Sequence, residues 1–262
     1  MSNDVVNTKN SITDAGEVAP PDRCKSCRLR ALDAFRNADT AEAKFIEGQR
    51  RERECFERGD VIVHEHERAK FIRTIYSGWA FRFKTLSDGR RQVLNFLLPG
   101  DIVGLQEQFS DASLHGVEAL TSLSTCSFQP NTLWDMFGQH SRLAFGVTWI
   151  AAREEALIDE NLLSVGRRSA TERIGALYLH LYRRMRQLRL VDSQGWFECP
   201  ITQTHIADAL GLSLVHTQRS LRQLKKLGLY TRDNGKLRIE NPRALERIAE
   251  YYEQPPRQMP LI

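Results

Sequence analysis

The stretch from Thr202 to Leu227, TQTHIADALGLSLVHTQRSLRQLKKL, admits few folds. Thr202 can cap a short helix bearing Ile206, Ala207 and Leu210, because its hydroxyl can accept from the free amides of a first helical turn. Gly211 supplies a turn, and Ser213 can cap a second helix that continues to Leu227. Two short helices joined this tightly make a helix-turn-helix. In the second, Leu221, Leu224 and Thr217 are available to a core. Val215, His216, Gln218, Arg219 and Arg222 then point outward near its start, where a major groove would meet them, Lys225 and Lys226 suit phosphates, and Thr202, Ser213 and Thr217 are counted among the DNA-binding candidates as well. Next come two short runs, Gly228 to Thr231 and Lys236 to Ile239, around Asp233-Asn234-Gly235. An Asn-Gly pair between such runs signals a hairpin, here placed as a wing.

Charge agrees with this placement. From Arg167 onward 17 Lys and Arg stand against 9 Asp and Glu, whereas the preceding residues carry 20 against 24. A basic C-terminal third on a mildly acidic body suits a nucleic-acid-binding module attached to a regulatory one. No leader-like apolar run opens the chain and no later segment approaches a membrane span, so the expected compartment is the cytoplasm, without membrane contact.

Between Arg50 and Gln129 the texture is β-rich and broken by glycines. Alternation of Trp79, Phe81 and Phe83 before Asp88-Gly89 predicts a hairpin, and the regular spacing of the runs predicts an antiparallel barrel or sandwich. From Ser141 to Val165 no proline occurs, while Leu143, Val147, Ile150, Leu157 and Leu162 recur at helical spacing. One long helix is expected, either as a dimer seam or lying on its own barrel. Ser169 and Glu172 have the spacing of a capping box for the next helix.

Together these features resemble the cyclic-AMP receptor protein and Fnr family of bacterial transcription regulators. Tyr76-Ser77-Gly78-Trp79, Asp88-Gly89-Arg90 and Leu98-Pro99-Gly100-Asp101-Ile102-Val103-Gly104 look like its sensory β-roll. Ala170 to Ile174 and Ala207 to Ser213 look like the start of its DNA-binding domain and its helix-turn-helix. The resemblance implies an α+β chain: a cyclic-nucleotide-binding-like β-roll, a long dimerisation helix and a winged helix-turn-helix. Its expected divisions are a disordered tail over 1–22, a cysteine segment plus β-roll over 23–140, the helix and hinge over 141–168, the DNA-binding domain over 169–250 and a C-terminal tail over 251–262. It also implies an activator-type homodimer on a palindromic double-stranded DNA operator, in contact with RNA polymerase. Arg219 occupies the family position that reads a guanine, which its fork can meet in a bidentate pair. The acidic residue usual four positions earlier is Val215 here, so the operator should differ from the familiar half-sites.

Two signals are weighed. In cyclic-nucleotide members a Glu and an Arg-Ser pair follow the Pro-Gly-Asp turn; here Leu105 follows Gly104, and His115-Gly116 falls at the Arg-Ser place, which makes cyclic AMP an unlikely ligand. In the Fnr branch, cysteines hold a 4Fe-4S cluster. Cys24, Cys27 and Cys126 match three of its ligands, and Asp33 stands where the fourth is expected. Zinc, a redox-active dithiol and no metal at all remain open for the same thiols, while Cys55 and Cys199 read as structural. Two other classes are carried: an enzyme built on histidines such as His64-Glu65-His66, which lacks a nucleophile or further ligand nearby, and an adaptor that keeps the β-roll without reading DNA.

Overall fold

The computed structural model describes residues 24–252 and 257–262; the whole stretch read as a disordered tail, 1–22, lies outside them together with residue 23. A short 3-10 turn, Cys24–Ser26, leads to helix α1, Thr40–Gln49. Asp39 starts α1 because its carboxylate accepts from the Glu42 amide while Glu42 answers at the Asp39 amide.

Eight strands follow: β1 Arg50–Phe56, β2 Val61–Val63, β3 Ile72–Ser77, β4 Ala80–Thr85, β5 Arg91–Leu97, β6 Ile102–Val103, β7 Gly116–Ala119 and β8 Leu123–Phe128. They form two antiparallel sheets, ordered β1-β8-β3-β6 and β2-β7-β4-β5. Ile75, Leu97, Val103, Val117 and Leu123 come from both sheets and share one core. The hairpin expected at Asp88-Gly89 joins β4 to β5, with Gly89 at φ +85° and the Leu86 amide bonded to the Arg90 carbonyl at 2.9 Å.

Helix α2, Thr132–Gln139, is followed by α3, Ser141–Arg167. The first half of the long helix lies on its own β-roll. Leu143, Val147 and Ile150 pack on their own β-roll against Ile46, Ile72, Phe128 and Met136, each such burial contributing about 1.5–3 kcal/mol. Beyond them one stripe of the helix is uncovered: Ile158, Leu162, Leu163 and Val165 are exposed, Leu162 to 71%, while Asn161 on another face still donates to the Leu94 carbonyl at 3.0 Å.

Helix α4, Ala170–Gln187, opens on the Ser169–Glu172 capping box. Strand β9, Trp196–Glu198, precedes α5, Gln203–Leu210, and α6, Leu214–Lys226; strands β10, Tyr230–Asp233, and β11, Lys236–Ile239, precede α7, Pro242–Ala249. The three strands pair as β10-β11-β9. Ile174, Leu179, Phe197, Ile206, Leu224 and Leu237 are nearly inaccessible and form the core of this half.

The two halves touch closely. Asp101, in the turn before β6, receives two hydrogen bonds from Arg184 of α4 at 2.8 and 2.9 Å, with Arg153 of α3 at 3.4 Å. Burial alone would raise the Asp101 carboxyl; the two guanidiniums outweigh it and hold the pKa below the ordinary 3.8. Gln92 of β5 donates to the Ala209 carbonyl of α5 at 3.0 Å, and the Phe81 and His205 rings lie 5.3 Å apart. Nor is the end of the chain a loose tail, because Met259, Pro260, Leu261 and Ile262 are buried against the β-rich half.

Candidate nucleic-acid interface

Thr202 accepts from the His205 amide and Ser213 from the His216 amide, each closing a first helical turn. Between them Gly211 turns the chain at φ +62°, a left-handed conformation that glycine adopts without a Cβ penalty. Helix α6 therefore projects an outward face near its start. Val215 is 71% exposed; His216, Arg219 and Arg222 are exposed and Gln218 is half-buried. The Arg222 Nε donates to the Gln218 carbonyl at 3.4 Å, whereas Arg219 makes no hydrogen bond or ion pair among the described residues. Its fork is free for a partner. Lys225 and Lys226 are exposed in the last turn. Thr217 was expected both in the core and among the DNA-facing residues; it is wholly buried, so it serves packing. Thr202 is exposed at the start of α5.

A second arrangement lies far from this face. Cys24, Cys27 and Cys126 line one cavity of about 30 Å³ together with Arg30, Arg50 and Arg53. Strand register brings this about, since Cys126 on β8 stands opposite Arg53 on β1 and Thr74 on β3. Burial pushes the thiols of Cys24 and Cys126 up, and Arg50 only partly offsets it. The Arg30 Nη1 and Arg53 Nε are buried without a hydrogen-bond acceptor among the described residues. Asp33 does not join them: its side chain is 88% exposed and its carboxylate is paired with Arg189 at 2.7 Å. Cys55 is exposed on β1 and Cys199 is fully buried beyond β9.

A 4Fe-4S cluster needs four ligands and room for eight atoms. A cavity of this volume holds about one or two water-sized groups, and among the described residues no three His, Cys, Asp or Glu side chains are grouped to hold a metal ion. As folded here, the residues do not fit the cluster. His64 and His66 are exposed beside β2, and Glu65 accepts from the Thr85 amide, as in a solvated strand end.

The larger cavity, about 390 Å³, lies between the β-roll and α3. Ile102, Leu105, Phe137 and Ile150 give it apolar walls, and Glu107, Glu154 and Glu155 line it as well. Its Arg82 is already paired with Glu154 at 3.1 Å. Glu107 accepts from Ser113 and stands 3.1 Å from the His115 Nε2. Burial, then Arg82, lower the His115 pKa to about 4, against the pull of Glu107, so the ring is neutral at pH 7.

Sequence reasoning did not find Arg30, Arg53 and Thr74 around the thiols, or the docking of Leu261 and Ile262 beside them. The available signal was the apolar run Met259-Pro260-Leu261-Ile262 closing an otherwise polar stretch.

Residues 53–140 match the model of the cyclic nucleotide-binding domain, and residues 172–248 that of the Crp-like helix-turn-helix domain. The nitrogen fixation regulation protein FixK of Rhizobium meliloti is 33% identical over 172 residues, which cover 63% of this chain and 72% of that protein. The chain belongs to the Crp/Fnr family of transcription regulators. Like other Crp/Fnr proteins it is a DNA-binding transcription regulator, with a nucleotide-binding-type β-roll ahead of its helix-turn-helix. The transcriptional activator protein FnrL of Cereibacter sphaeroides is 29% identical over 209 residues, 79% of this chain and 83% of that one. Among solved Crp/Fnr structures, FixK2 of Bradyrhizobium japonicum superposes with a TM-score of 0.68 at 26% identity, covering 75% of this chain and 96% of its own. No helix among the described residues is long and apolar enough to cross a membrane.

Proposed function

We propose that this regulator reads a palindromic operator as a homodimer through α6, with Arg219 as the principal base-reading residue and RNA polymerase as its downstream partner. The observation that carries the reading is the exposed, unpartnered Arg219 near the start of a capped helix. A free guanidinium fork there can meet the O6 and N7 of guanine. Val215, His216, Gln218 and Arg222 flank it, Val215 offering apolar contact to a thymine methyl; Thr202, Ser213, Lys225 and Lys226 face the backbone phosphates. The uncovered stripe of α3 supports pairing with a second copy, since Ile158, Leu162 and Val165 otherwise stand as an apolar row in water.

On the input side the proposal assigns Cys24, Cys27 and Cys126, as thiols in one cavity, to sensing. A cluster on these three would need both a wider cavity and a fourth ligand, because Asp33 is held by Arg189. The carboxylates lining the larger cavity, and an Arg82 already neutralised by Glu154, would repel a cyclic-nucleotide phosphate. Selection from random duplex DNA tests the output side: enrichment of a palindrome with half-sites about one helical turn apart is expected. Retention of DNA without any sequence preference would leave an adaptor as the better reading.

A further inference from the structure

Of the features the DNA-reading assignment leaves unused, the buried end of the chain carries furthest. Met259 pairs with Phe35 as a parallel bridge: its amide donates to the Ala34 carbonyl, and its carbonyl accepts from the Arg36 amide, both at 2.8 Å. The Thr74 hydroxyl donates to the main-chain oxygen of Ile262 at 2.5 Å, and Arg30 donates to the Leu261 carbonyl at 3.4 Å. Pro260 lies so close to α3 that a Cβ built on Gly146 would stand 2.9 Å from its ring. Leu261 and Ile262 complete the wall of the cavity that Cys24, Cys27 and Cys126 line. Thr74, which holds Ile262, is the register partner of Cys126.

We propose that residues 259–262 form a strap filling the thiol cavity, so that the strap and any group held jointly by Cys24, Cys27 and Cys126 exclude each other. The remaining space admits about one or two water-sized groups, which leaves no room beside Leu261 and Ile262 for a multi-atom group bridging the three thiols, and as folded the described side chains are not grouped to hold a single ion. The strap also belongs to the DNA-binding half. It continues the chain beyond α7, where Tyr251 receives Arg183 on its carbonyl at 3.1 Å and meets His180 through its hydroxyl at 3.1 Å. Withdrawing it cuts a tether between sensor and reading head. A ligand that favours the strap-free form thereby shifts the relation of the two halves. This regulation rests on the assignment of the three thiols as the input site.

The test uses the full chain with Cys55→Ser, which removes the exposed thiol. Thiol modification by Ellman's reagent and binding of cadmium ion, followed by thiolate-to-metal absorbance, are compared in the parent, in Leu261→Lys and in Gly146→Ala. The second variant pushes Pro260 outward from the helix side while removing a glycine from a helix interior, which favours the helix itself, and far-ultraviolet circular dichroism checks that it folds. Both variants are expected to react about tenfold faster and to bind cadmium more tightly, as an opening equilibrium moved by a decade would give. Parent-like rates in folded Gly146→Ala overturn the strap. Operator affinity, measured with and without cadmium on the selected palindrome, separates the two ideas. If cadmium alters affinity in the parent while the variants leave thiol rates unchanged, thiol input stands and the strap falls. If the variants expose the thiols but cadmium never alters affinity, the strap stands and thiol input falls.

Discussion

Replacing Arg184 by methionine asks whether one buried ion pair holds the two halves of this regulator together. Asp101 and Arg184 side chains are 1% and 5% exposed and meet through two parallel hydrogen bonds. With charge centres about 4 Å apart and an effective dielectric of about 20, their attraction is roughly 4 kcal/mol. The larger consequence is what the substitution strands. Asp101 would keep only Arg153 and the Leu98 amide in a site that excludes water, and removing one partner of a buried pair costs about 3–5 kcal/mol. Urea unfolding at pH 7 should register that loss for Arg184→Met. The double variant Asp101→Asn/Arg184→Met should recover a good part of it, with a coupling of about 2 kcal/mol in the cycle. Acid supplies an independent check. Because the Asp101 carboxyl sits below 3.8 in the folded chain, its contribution is full above that value and disappears as the pH falls through the lowered pKa. The gap between parent and Arg184→Met should therefore close in strong acid. A single variant within about 1 kcal/mol of the parent at pH 7 would refute the reasoning.

Arg219→Ala should weaken operator binding by about 1–3 kcal/mol and relax preference at one base pair, whereas Lys225→Ala or Lys226→Ala should weaken binding to every sequence and flatten its salt dependence; footprint titrations across salt separate the patterns, and an operator-specific loss at either lysine would contradict its assignment to phosphate. The His115 pKa is lowered from 6.5 to about 4, so the unfolded chain takes up a proton first on acidification. Stability should fall from about pH 6.5 toward 4, and His115→Gln should remove part of that slope in urea titrations, an identical slope speaking against a buried neutral ring. Leu162→Glu puts a charge into the bare stripe of α3 and should shift sedimentation toward monomer without a comparable loss of secondary structure; an undisturbed dimer would remove this stripe from the seam.

What could be read along the chain was what local chemistry decides. Thr202, Ser213 and Ser169 cap helices through amides three residues away, and Asp88-Gly89 turns a hairpin by its own conformational preference, so each was legible from a few neighbours. Arg219 was legible because helical periodicity alone separates it from Leu221 and Leu224. Thr217 was harder, since a threonine suits either face and only its complete burial decides. The partners around the thiols were not legible. Arg53 and Thr74 meet Cys126 through strand register, and Ile262 reaches Thr74 across 188 residues of sequence separation. The family resemblance put Asp33 at the place of the fourth ligand, but a place in the chain does not fix side-chain direction, and Arg189 competes for the carboxylate from 156 residues away. Asp101 and Arg184 likewise depend on how two halves dock, which no local pattern encodes.

Helix α3 keeps contact with the β-roll past its midpoint, Asn161 donating to the Leu94 carbonyl at 3.0 Å, and ends beside the reading head, where a Cβ on Gly211 would lie 3.8 Å from Val165. Val165 thus belongs both to the stripe proposed for a second copy and to the support of the turn that aims α6. Under the proposed pairing, a change in how two such helices cross is delivered next to the turn that aims α6, and so bears on the separation and pitch of the recognition helices. Operator spacing becomes a ruler for that crossing angle.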